Sequence, residues 1–320
     1  MTISIPAIAI PAGHFSFETI DLSNPPRECL VNALGVEVTE PSIARMCGLG
    51  NIDPQHGPNS TPTSPAAIEV CLDYPLPQPG ARLVTILPDL DSIGGMAVLL
   101  LRSNGRILSA DLCDRVRRVA KADRFSRGTW PGPRDLPRTV DEILEDGNGL
   151  ELGALALCVS DRMRTLHDRV CLVADWLTTG NIPEVYTAKI REPAERLLRS
   201  IRIGSTVFET HCDGAIAFVA SLEPAALRQA YRLAPVIVAL NPAYRFASGE
   251  RGRKFTIARW ADGDADLGIA SQYLARLENG WGGQSGIKGS PQTTPSILSL
   301  GEVVKCVCKG LPPEPNTEVS

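Results

Sequence analysis

The feature that most constrains this chain is a strand-like run that leads directly into two aspartates and then an apolar helix. From residue 83 to residue 95 the sequence reads LVTILPDLDSIGG, and an Ala/Leu/Met-rich stretch continues to Arg102. In open α/β sheets, ligands bind beyond the carboxyl ends of the strands, where such turns lie. We therefore expect a strand over residues 81–86, a helix over residues 92–102, and a ligand site at the turn between them.

The two aspartates of this turn, Asp89 and Asp91, are predicted metal ligands. Carboxylate oxygens suit hard cations such as Mg²⁺ or Mn²⁺. Gly94 and Gly95 are expected to permit close backbone approach at the helix start, where an N-terminus favours anions. The alternative is that Asp91 or Ser92 simply caps the helix, which explains one residue but not its neighbours.

Two further segments of the front half carry candidate ligands. Asp53 and His56 lie three positions apart in a Pro/Gly loop, so they can share a metal, or His56 can serve as an acid for a leaving group. The alternative is a surface loop with a solvated histidine. Asp123 ends a predicted helix, where the macrodipole disfavours a negative charge. A cation would hold it there, and so would Arg124 or Arg127.

A glycine-rich loop near residues 280–291 is the candidate substrate site. Its sequence, GWGGQSGIKGSP, can form a nest of backbone N–H groups around a phosphate. It lacks the spacing of a P-loop, and a plain glycine turn is the alternative. The residues assigned to substrate binding are Gly282, Gly283, Gln284, Lys288 and Ser290, together with Arg253 and Lys254 from a nearby predicted strand.

Composition limits the partners. The 320 residues include 36 acidic and 32 basic side chains, a net charge of −4, which disfavours a broad duplex-binding surface. A small phosphorylated substrate is expected, with a short single-stranded oligonucleotide and a homodimer left open. The longest apolar runs fall far below the roughly 20 residues that span a bilayer. Nine scattered cysteines indicate reduced thiols and a cytoplasmic protein.

The chain is expected to form a two-domain α/β protein with a cleft between the domains. A parallel-sheet, metal-binding domain is predicted over residues 1–180, and a smaller mixed α/β substrate-binding domain over 196–310. Hinge motion is expected around 178–200, and a disordered tail over 311–320. Helices are predicted at 27–34, 111–125 and, in the rear half, 225–233, 267–277 and 300–309. Strands are predicted at 205–210, 215–220, 236–240 and 254–259.

These motifs resemble the DHH phosphoesterase superfamily and its DHHA1 domain. The run VTILPDLDSIGGMAVLLL is similar to the first DHH motif, and the order APVIVALNP, RKFTIARW, DADLGIASQYLARL, GWGGQSGIKGSP is similar to DHHA1. The resemblance implies two Mn²⁺ or Mg²⁺ ions, with Asp89, Asp91 and Asp123 as ligands and Gly282 and Gly283 in the substrate loop. No literal Asp-His-His occurs; the nearest counterpart is the segment from Asp53 to His56.

The sequence therefore predicts a metal-dependent phosphoester hydrolase, a phosphodiesterase or phosphatase acting on a nucleotide or other small phosphorylated substrate. Asp91 and His56 are the predicted catalytic residues, and Asp89, Asp91, Asp123, Asp53 and His56 the predicted metal ligands. Two divalent cations would activate a water and neutralise phosphoryl oxygens. The alternative is a non-catalytic nucleotide- or phosphate-binding protein on the same scaffold.

Overall fold

The computed structural model describes residues 14–26, 28–56, 60–61, 64–123, 132–145, 149–246, 248–260, 263 and 265–312. The chain divides into two compact units, one of residues 1–127 and 148–191 and the other of residues 128–147 and 192–320. The polypeptide thus passes from one unit to the other three times. The predicted domain boundaries at 180 and 196 and the predicted hinge stay predictions.

In its described residues, the first unit contains four strands and seven helices, the last of which continues into the second unit. They are β1 (Phe15–Thr19), β2 (Ala33–Val36), α1 (Pro41–Ala44), β3 (Asn51–Ile52), α2 (Ala67–Val70), β4 (Ala81–Thr85), α3 (Leu90–Ser103), α4 (Ala110–Asp123), α6 (Gly149–Ser160), α7 (Leu166–Thr179) and α8 (Glu184–Arg202).

The four strands form a parallel sheet in the order β1-β4-β2-β3. Strand β4 is apolar on both faces, and its residue Leu83 pairs with Leu34 of β2. Both leucines are fully buried in a core that also takes the apolar side chains of α3 and α7. Burial on both faces is what a parallel sheet requires of its strands. The carboxyl ends of β4, β2 and β3 consequently lie side by side at one edge.

Sequence reasoning located β4 and α3 correctly and misread one neighbouring segment. The helix predicted over residues 27–34 is wrong, because residues 33–36 form β2, whose four residues are all buried. A short apolar run without polar spacing fits a central parallel strand as well as a helix. The short helix expected after Glu40 is α1, and the helix expected over 111–125 is α4.

The glycines of α3 serve helix packing. An ideal Cβ on Gly94 would lie 2.5 Å from Cδ1 of Ile68, and one on Gly95 would lie 3.0 Å from Sγ of Cys71. Both neighbours belong to the fully buried core around α2. The expectation that Gly94 and Gly95 open the helix start to a ligand is therefore replaced by a packing role: they let α3 approach α2.

The second unit is built on a five-stranded mixed sheet in the order β5-β6-β7-β8-β9, in which β6 and β7 are parallel and the other pairs antiparallel. The fold class predicted from the sequence is confirmed by this mixed sheet and the parallel sheet of the first unit. The elements are α5 (Val140–Glu145), β5 (Val207–His211), β6 (Ile216–Ala220), α9 (Ala226–Ala230), β7 (Val236–Arg245), β8 (Arg251–Arg259), α10 (Leu267–Leu277), β9 (Ile287–Gly289) and α11 (Leu300–Cys308).

A buried arginine fastens residues 132–145 to this second unit. Arg232 donates from its guanidinium to the carbonyl oxygens of Asp135 (3.1 Å) and Glu142 (2.8 Å). Its own carbonyl accepts a hydrogen bond from the backbone N–H of Arg134. A guanidinium that is only 8% exposed needs such partners. These contacts explain why a segment that interrupts the first unit in sequence belongs to the second in space.

The C-terminal helix confirms one prediction and corrects another. Ser299 and Glu302 form the expected capping box of α11, but the C-cap is Lys309 instead of Gly310. The backbone of Gly310 approaches the carbonyl of Asp266 too closely for a side chain. Cys308 forms a disulfide with Cys212, so the expectation that all cysteines are reduced is wrong for this pair. Of the tail expected to be disordered over 311–320, Leu311 packs against the core of the second unit and donates to the carbonyl of Cys308, and residues 313–320 lie outside the described residues.

Among the described residues, no helix combines the length and apolar character that crossing a bilayer requires.

Gly94→Ala should destabilise the protein. The new methyl group meets the fully buried Ile68, and overpacking of this kind outweighs the better helix propensity of alanine, for a net loss of about 1 kcal/mol or more. Urea unfolding followed by circular dichroism measures it as a lower midpoint. The matched control is Gly301→Ala in α11, where no atom lies within 4 Å of the added carbon. Equal midpoints for the two variants would contradict the packing role.

Candidate functional site

Acidic side chains follow three neighbouring strands of the parallel sheet at the point where each strand ends. Glu37 comes directly after β2, Asp53 directly after β3, and Asp89 four residues after β4. Because these strands are parallel and adjacent, the three loops emerge at the same edge of the sheet. The structure thus brings together residues that are more than fifty positions apart in sequence. We call the group of Glu37, Asp53, Asp89, Asp91 and Asp123 the acidic cluster.

Glu37 is the member that sequence reasoning missed. Its side chain is only 6% exposed, and its backbone has a φ of 52°, which is uncommon for a residue with a side chain. Asn51 holds this turn, because its side chain accepts from the N–H of Val38 (3.2 Å) and donates to the Val38 carbonyl (3.0 Å). The available signal was an acidic residue straight after a buried apolar run, which the wrong helix prediction concealed.

The electrostatics of Glu37 show how crowded the cluster is. Burial, as the largest cause, together with the charges of Asp91, Asp89 and Asp123 and a hydrogen bond with Asp89, raises the pKa of Glu37 to about 11. Its Oε2 is buried with no hydrogen-bond partner. Glu37 is therefore protonated at neutral pH in the cation-free protein, since the cluster does not tolerate another negative charge.

Asp91 lies at the base of the cluster and has a role in the fold. Its two carboxylate oxygens accept hydrogen bonds from the backbone N–H groups of Ala67 (2.8 Å) and Ile68 (2.9 Å), at the start of α2. Burial raises the pKa of Asp91, and the charge of Asp123 adds to this although the two backbone bonds oppose it. The predicted metal and catalytic roles of Asp91 stay predictions. Asp91→Ala would also remove two acceptors that stabilise α2.

Asp89 is the N-cap of α3, so the capping alternative applies to it and not to Asp91 or Ser92. Its Oδ1 accepts hydrogen bonds from the N–H (2.9 Å) and the hydroxyl (3.0 Å) of Ser92. The turn before it is rigid, because the carbonyl of Leu87 accepts three hydrogen bonds, from Thr85, Asp89 and Ser92. One carboxylate thus caps a helix and contributes charge to the cluster.

The predicted pair of Asp53 and His56 is present. Nδ1 of His56 lies 2.6 Å from Oδ1 of Asp53, which also accepts the His56 backbone N–H at 3.3 Å. The hydrogen bond to Asp53 raises the pKa of His56, and the charges of Asp53, Asp123 and Asp89 add to this against the opposing effect of burial. The imidazole is therefore within electrostatic reach of the predicted ligands Asp89 and Asp123.

Asp123 is the last residue of α4, and its charge acts on three members of the site. It raises the pKa values of Glu37, Asp91 and His56. The structure thus places Asp123 beside the residues with which it was predicted to act. Arg124 and Arg127, the alternative partners considered for it, lie outside the described residues.

The acidic cluster fits a divalent cation in the chemistry of its donors. Carboxylates and one imidazole suit Mn²⁺ or Mg²⁺, and a cation would relieve the mutual repulsion that raises the pKa of Glu37. In the described part of the chain, no three His, Cys, Asp or Glu side chains are yet arranged as a coordination set.

The predicted substrate loop of the second unit is folded tightly on β8. Lys254 is buried and its ammonium group donates to the carbonyl oxygens of Ser290 and Pro291, the latter at 2.9 Å. The hydroxyl of Ser290 accepts the Phe255 N–H at 3.0 Å. Both residues thus have structural partners inside the protein. Their assignment to substrate binding stays a prediction.

The other predicted substrate residues are closer to the surface. Lys288 donates to the carbonyl of Gly283 (2.7 Å), and Arg253 donates to the carbonyl of Ile297 (3.1 Å). Gly283 has a φ of 136°, which requires glycine, whereas Gly282 is exposed and has open space around it. Gln284 is half-buried beside them. The open side of Gly282 is the part of the loop that remains accessible to a ligand.

No protein-family profile and no curated protein matches this chain. Solved structures that are similar to it include the following two. One is the pGpG-specific phosphodiesterase PggH from Vibrio cholerae, with 10% identity over 81% of this chain and 80% of that chain, at a TM-score of 0.40. The other is the exonuclease RecJ bound to manganese, with 13% identity over 87% and 74% of the respective chains, at a TM-score of 0.35.

Identities this low and TM-scores below 0.5 carry no argument about activity, so the functional case depends on the acidic cluster.

Glu37→Gln should stabilise the cation-free protein increasingly as pH rises. The folded state keeps a proton on Glu37 that the unfolded chain releases above pH 4.5, so the wild-type protein loses stability between pH 4.5 and about 11. Each unit of pKa difference corresponds to about 1.4 kcal/mol. Thermal unfolding in chelator should show a higher midpoint for the variant at pH 8.5 and a smaller difference at pH 5.

The control for this comparison is Glu28→Gln, which makes the same substitution at an exposed position of the same unit. It should leave the midpoint nearly unchanged at both pH values. A Glu37→Gln effect that is the same at pH 5 and pH 8.5 would contradict the raised pKa.

Proposed function

We propose that this chain is a divalent-cation-dependent phosphoester hydrolase, a phosphodiesterase or phosphatase, acting on a nucleotide or another small phosphorylated substrate. The observation that supports this most directly is the acidic cluster. Burial first, and then the charges of Asp91, Asp89 and Asp123, raise the pKa of Glu37 to about 11, so these carboxylates lie within electrostatic reach of one another. A fold keeps such repulsion at the ligand-binding edge of its sheet when a function requires it.

The residues that would hold the cation are Asp89, Asp123 and Glu37, with Asp91, Asp53 and His56 around them. The proposal includes two ions, Mn²⁺ or Mg²⁺, because the five carboxylates of the acidic cluster exceed what one ion of either kind uses when it also keeps water and substrate. When bound, the ions supply stabilisation of phosphoryl oxygens and acidify a water molecule. The chain itself contributes the fixed positions of Asp89, through its cap, and of Glu37, through Asn51.

His56 is proposed as the proton donor to the leaving oxygen. Asp53 fixes one side of the imidazole at 2.6 Å and raises its pKa, so that a larger fraction is protonated near neutral pH. His56 would then donate to the leaving alkoxide from its other ring nitrogen. Of the two roles predicted for His56, metal ligand and acid for the leaving group, this assignment uses the second. It requires His56 to remain outside the coordination sphere of the ions.

Substrate binding is proposed at the 280–291 loop, with Gly282, Gly283, Gln284, Lys288 and Arg253 as its accessible residues. A small phosphorylated molecule or a short single-stranded oligonucleotide fits the modest local positive charge of an otherwise acidic chain. A cytoplasmic location and a homodimer remain part of the proposal.

A non-catalytic nucleotide- or phosphate-binding protein is the second candidate. Two observations favour it: both oxygens of Asp91 are engaged by α2, and no three described side chains form a coordination set. The two candidates differ in whether a bound cation is needed for ligand binding and whether product appears.

Asp89→Asn should weaken cation binding while leaving α3 intact. Asparagine caps helices as well as aspartate does, so the variant removes the charge and keeps the cap. Calorimetric titration with Mn²⁺ should show an affinity at least about tenfold weaker, and hydrolysis of bis-p-nitrophenyl phosphate should be lost. Asp73→Asn, an exposed aspartate of the same unit, is the control. A wild-type protein that binds a nucleotide in chelator, binds no Mn²⁺ and hydrolyses no substrate would support the second candidate.

His56→Gln should slow hydrolysis of phosphoesters with poor leaving groups by about 10²-fold or more. It should affect p-nitrophenyl esters little, because p-nitrophenolate leaves without a proton. Asp53→Asn removes the group that raises the pKa of His56, so the alkaline fall of activity should move to lower pH. Rates of alkyl and p-nitrophenyl esters measured across pH test both statements. An equal loss for both leaving groups would show that His56 acts otherwise.

A further inference from the structure

A disulfide joins two distant elements of the second unit, the turn between β5 and β6 and the last residue of α11. It pairs Cys212 with Cys308, which are 96 positions apart in sequence. The other seven cysteines of the chain are free thiols. Where the surroundings keep thiols reduced, disulfides are usually transient and redox-sensing. A single crosslink among seven free thiols therefore raises the question of whether it opens.

The turn that carries Cys212 is one in which cysteine is unusual. The N–H of Gly214 donates to the carbonyl of His211 at 3.2 Å, and the two residues between them, Cys212 and Asp213, have φ values of 50° and 53°. Two central residues with positive φ are what a type I′ hairpin turn requires, and asparagine, aspartate and glycine are preferred there. The hairpin gives no reason for a cysteine at this position, whereas the crosslink does.

The two sulfur-bearing residues differ in their access to solvent. Cys212 is exposed and Cys308 is half-buried. A thiol in solution can therefore reach one partner of the pair, and exposed disulfides are the ones that exchange. Cys306 cannot replace Cys308, because it is buried in the core and residues two apart on a helix point about 200° away from each other.

Both ends of the crosslink have other anchors in the fold. Strands β5 and β6 pair along five residues each. Helix α11 begins with the capping box of Ser299 and Glu302 and buries Val303 and Val307 in the core of the second unit. We therefore expect the second unit to stay folded when the disulfide opens, with the two thiols placed to pair again.

The crosslink restrains the junction between α11 and α10. Just after Cys308, the carbonyl of Gly310 accepts the N–H of Asp266 at 2.7 Å. Asp266 is in turn the N-cap of α10, since its side chain accepts from the N–H groups of Gly268 (2.7 Å) and Ile269 (3.2 Å). The end of one helix thus holds the start of the next, and the disulfide fixes that end.

The opposite end of α10 is held independently of the crosslink. The carboxylate of Glu278 accepts hydrogen bonds from the indole N–H of Trp281 (2.8 Å), the hydroxyl of Ser296 (2.8 Å) and the N–H of Ile297 (2.7 Å). These groups are buried or half-buried. Loosening of the α11–α10 junction should therefore stop before this end of the helix.

We propose that the Cys212–Cys308 disulfide is a site of reversible thiol–disulfide exchange with a dithiol reductant, and that it sets the mobility of the α11–α10 junction. A thiolate of the reductant bonds to Sγ of Cys212 and expels the thiolate of Cys308. The second thiol of the reductant then displaces Cys212 from this mixed disulfide. Two electrons and two protons pass from the dithiol, which becomes a disulfide, to the two cysteines. The site does not rest on the proposed hydrolysis, because it uses none of the residues assigned to it.

The test is alkylation by iodoacetamide, read by peptide mass spectrometry, on the full chain in native buffer before and after treatment with dithiothreitol. The reductant should make Cys212 and Cys308 reactive and leave the buried Cys306 unmodified, which shows opening without unfolding. Amide hydrogen exchange in the reduced protein should be at least about tenfold faster at residues 266–270 and 307–311 and unchanged at residues 278–297. Oxidised glutathione, added after the reductant is removed, should restore both original patterns.

Cys212→Ser and Cys308→Ser should each show the faster exchange at the junction with and without dithiothreitol. The matched control is Cys29→Ser, which replaces an exposed free cysteine of the first unit and should keep the wild-type response to the reductant. Four results would overturn the proposal: thiols at 212 and 308 that oxidised glutathione does not join, a disulfide that is reduced only in denaturant, alkylation of Cys306 together with the pair, or equal junction exchange in the two redox states.

Discussion

Parallel pairing of three short strands is the constraint on which the site depends. Strands β4, β2 and β3 end at one edge, so the residues that follow them are neighbours whatever their separation in sequence. Carboxylates delivered in this way repel one another in a partly dry environment, and the pKa of Glu37 records that repulsion. Gly94 and Gly95 permit α3 to pack on α2. The stability of this packing offsets the repulsion among the carboxylates and keeps this edge of the parallel sheet assembled.

Scaffold and site share the same side chains. Asp89 begins α3 and faces the cluster, while Asp91 satisfies the first amides of α2 from within the next helix. An aspartate that caps a helix gains stability from orphan N–H groups, and this gain offsets part of the cost of holding charge near other charge. Substitutions at these two positions therefore need to preserve hydrogen bonding if their effect on chemistry is to be measured separately from their effect on folding.

Much of the architecture could be predicted because local signals and tertiary burial agree. Apolar periodicity or cap residues are enough to predict β4, helix α10 and the capping box of α11 from the sequence. Strand β2 could not be recognised from the sequence, because four apolar residues are compatible with a strand or a helix until their burial is known. Glu37 was missed together with it. The burial of the Lys254 ammonium group depends on a contact with a residue 36 positions away, and the disulfide between Cys212 and Cys308 spans 96 residues. Local sequence signals predict neither contact.

The three passages of the chain between its units bear on how the protein can be divided. Residues 132–145 supply the carbonyl groups that satisfy the buried guanidinium of Arg232. A fragment beginning at residue 192 lacks these two carbonyl acceptors of the Arg232 guanidinium. To obtain the second unit alone, residues 132–145 should be fused to it. During ribosomal synthesis this segment emerges before the strands of the second unit, so it can dock only after they have been made.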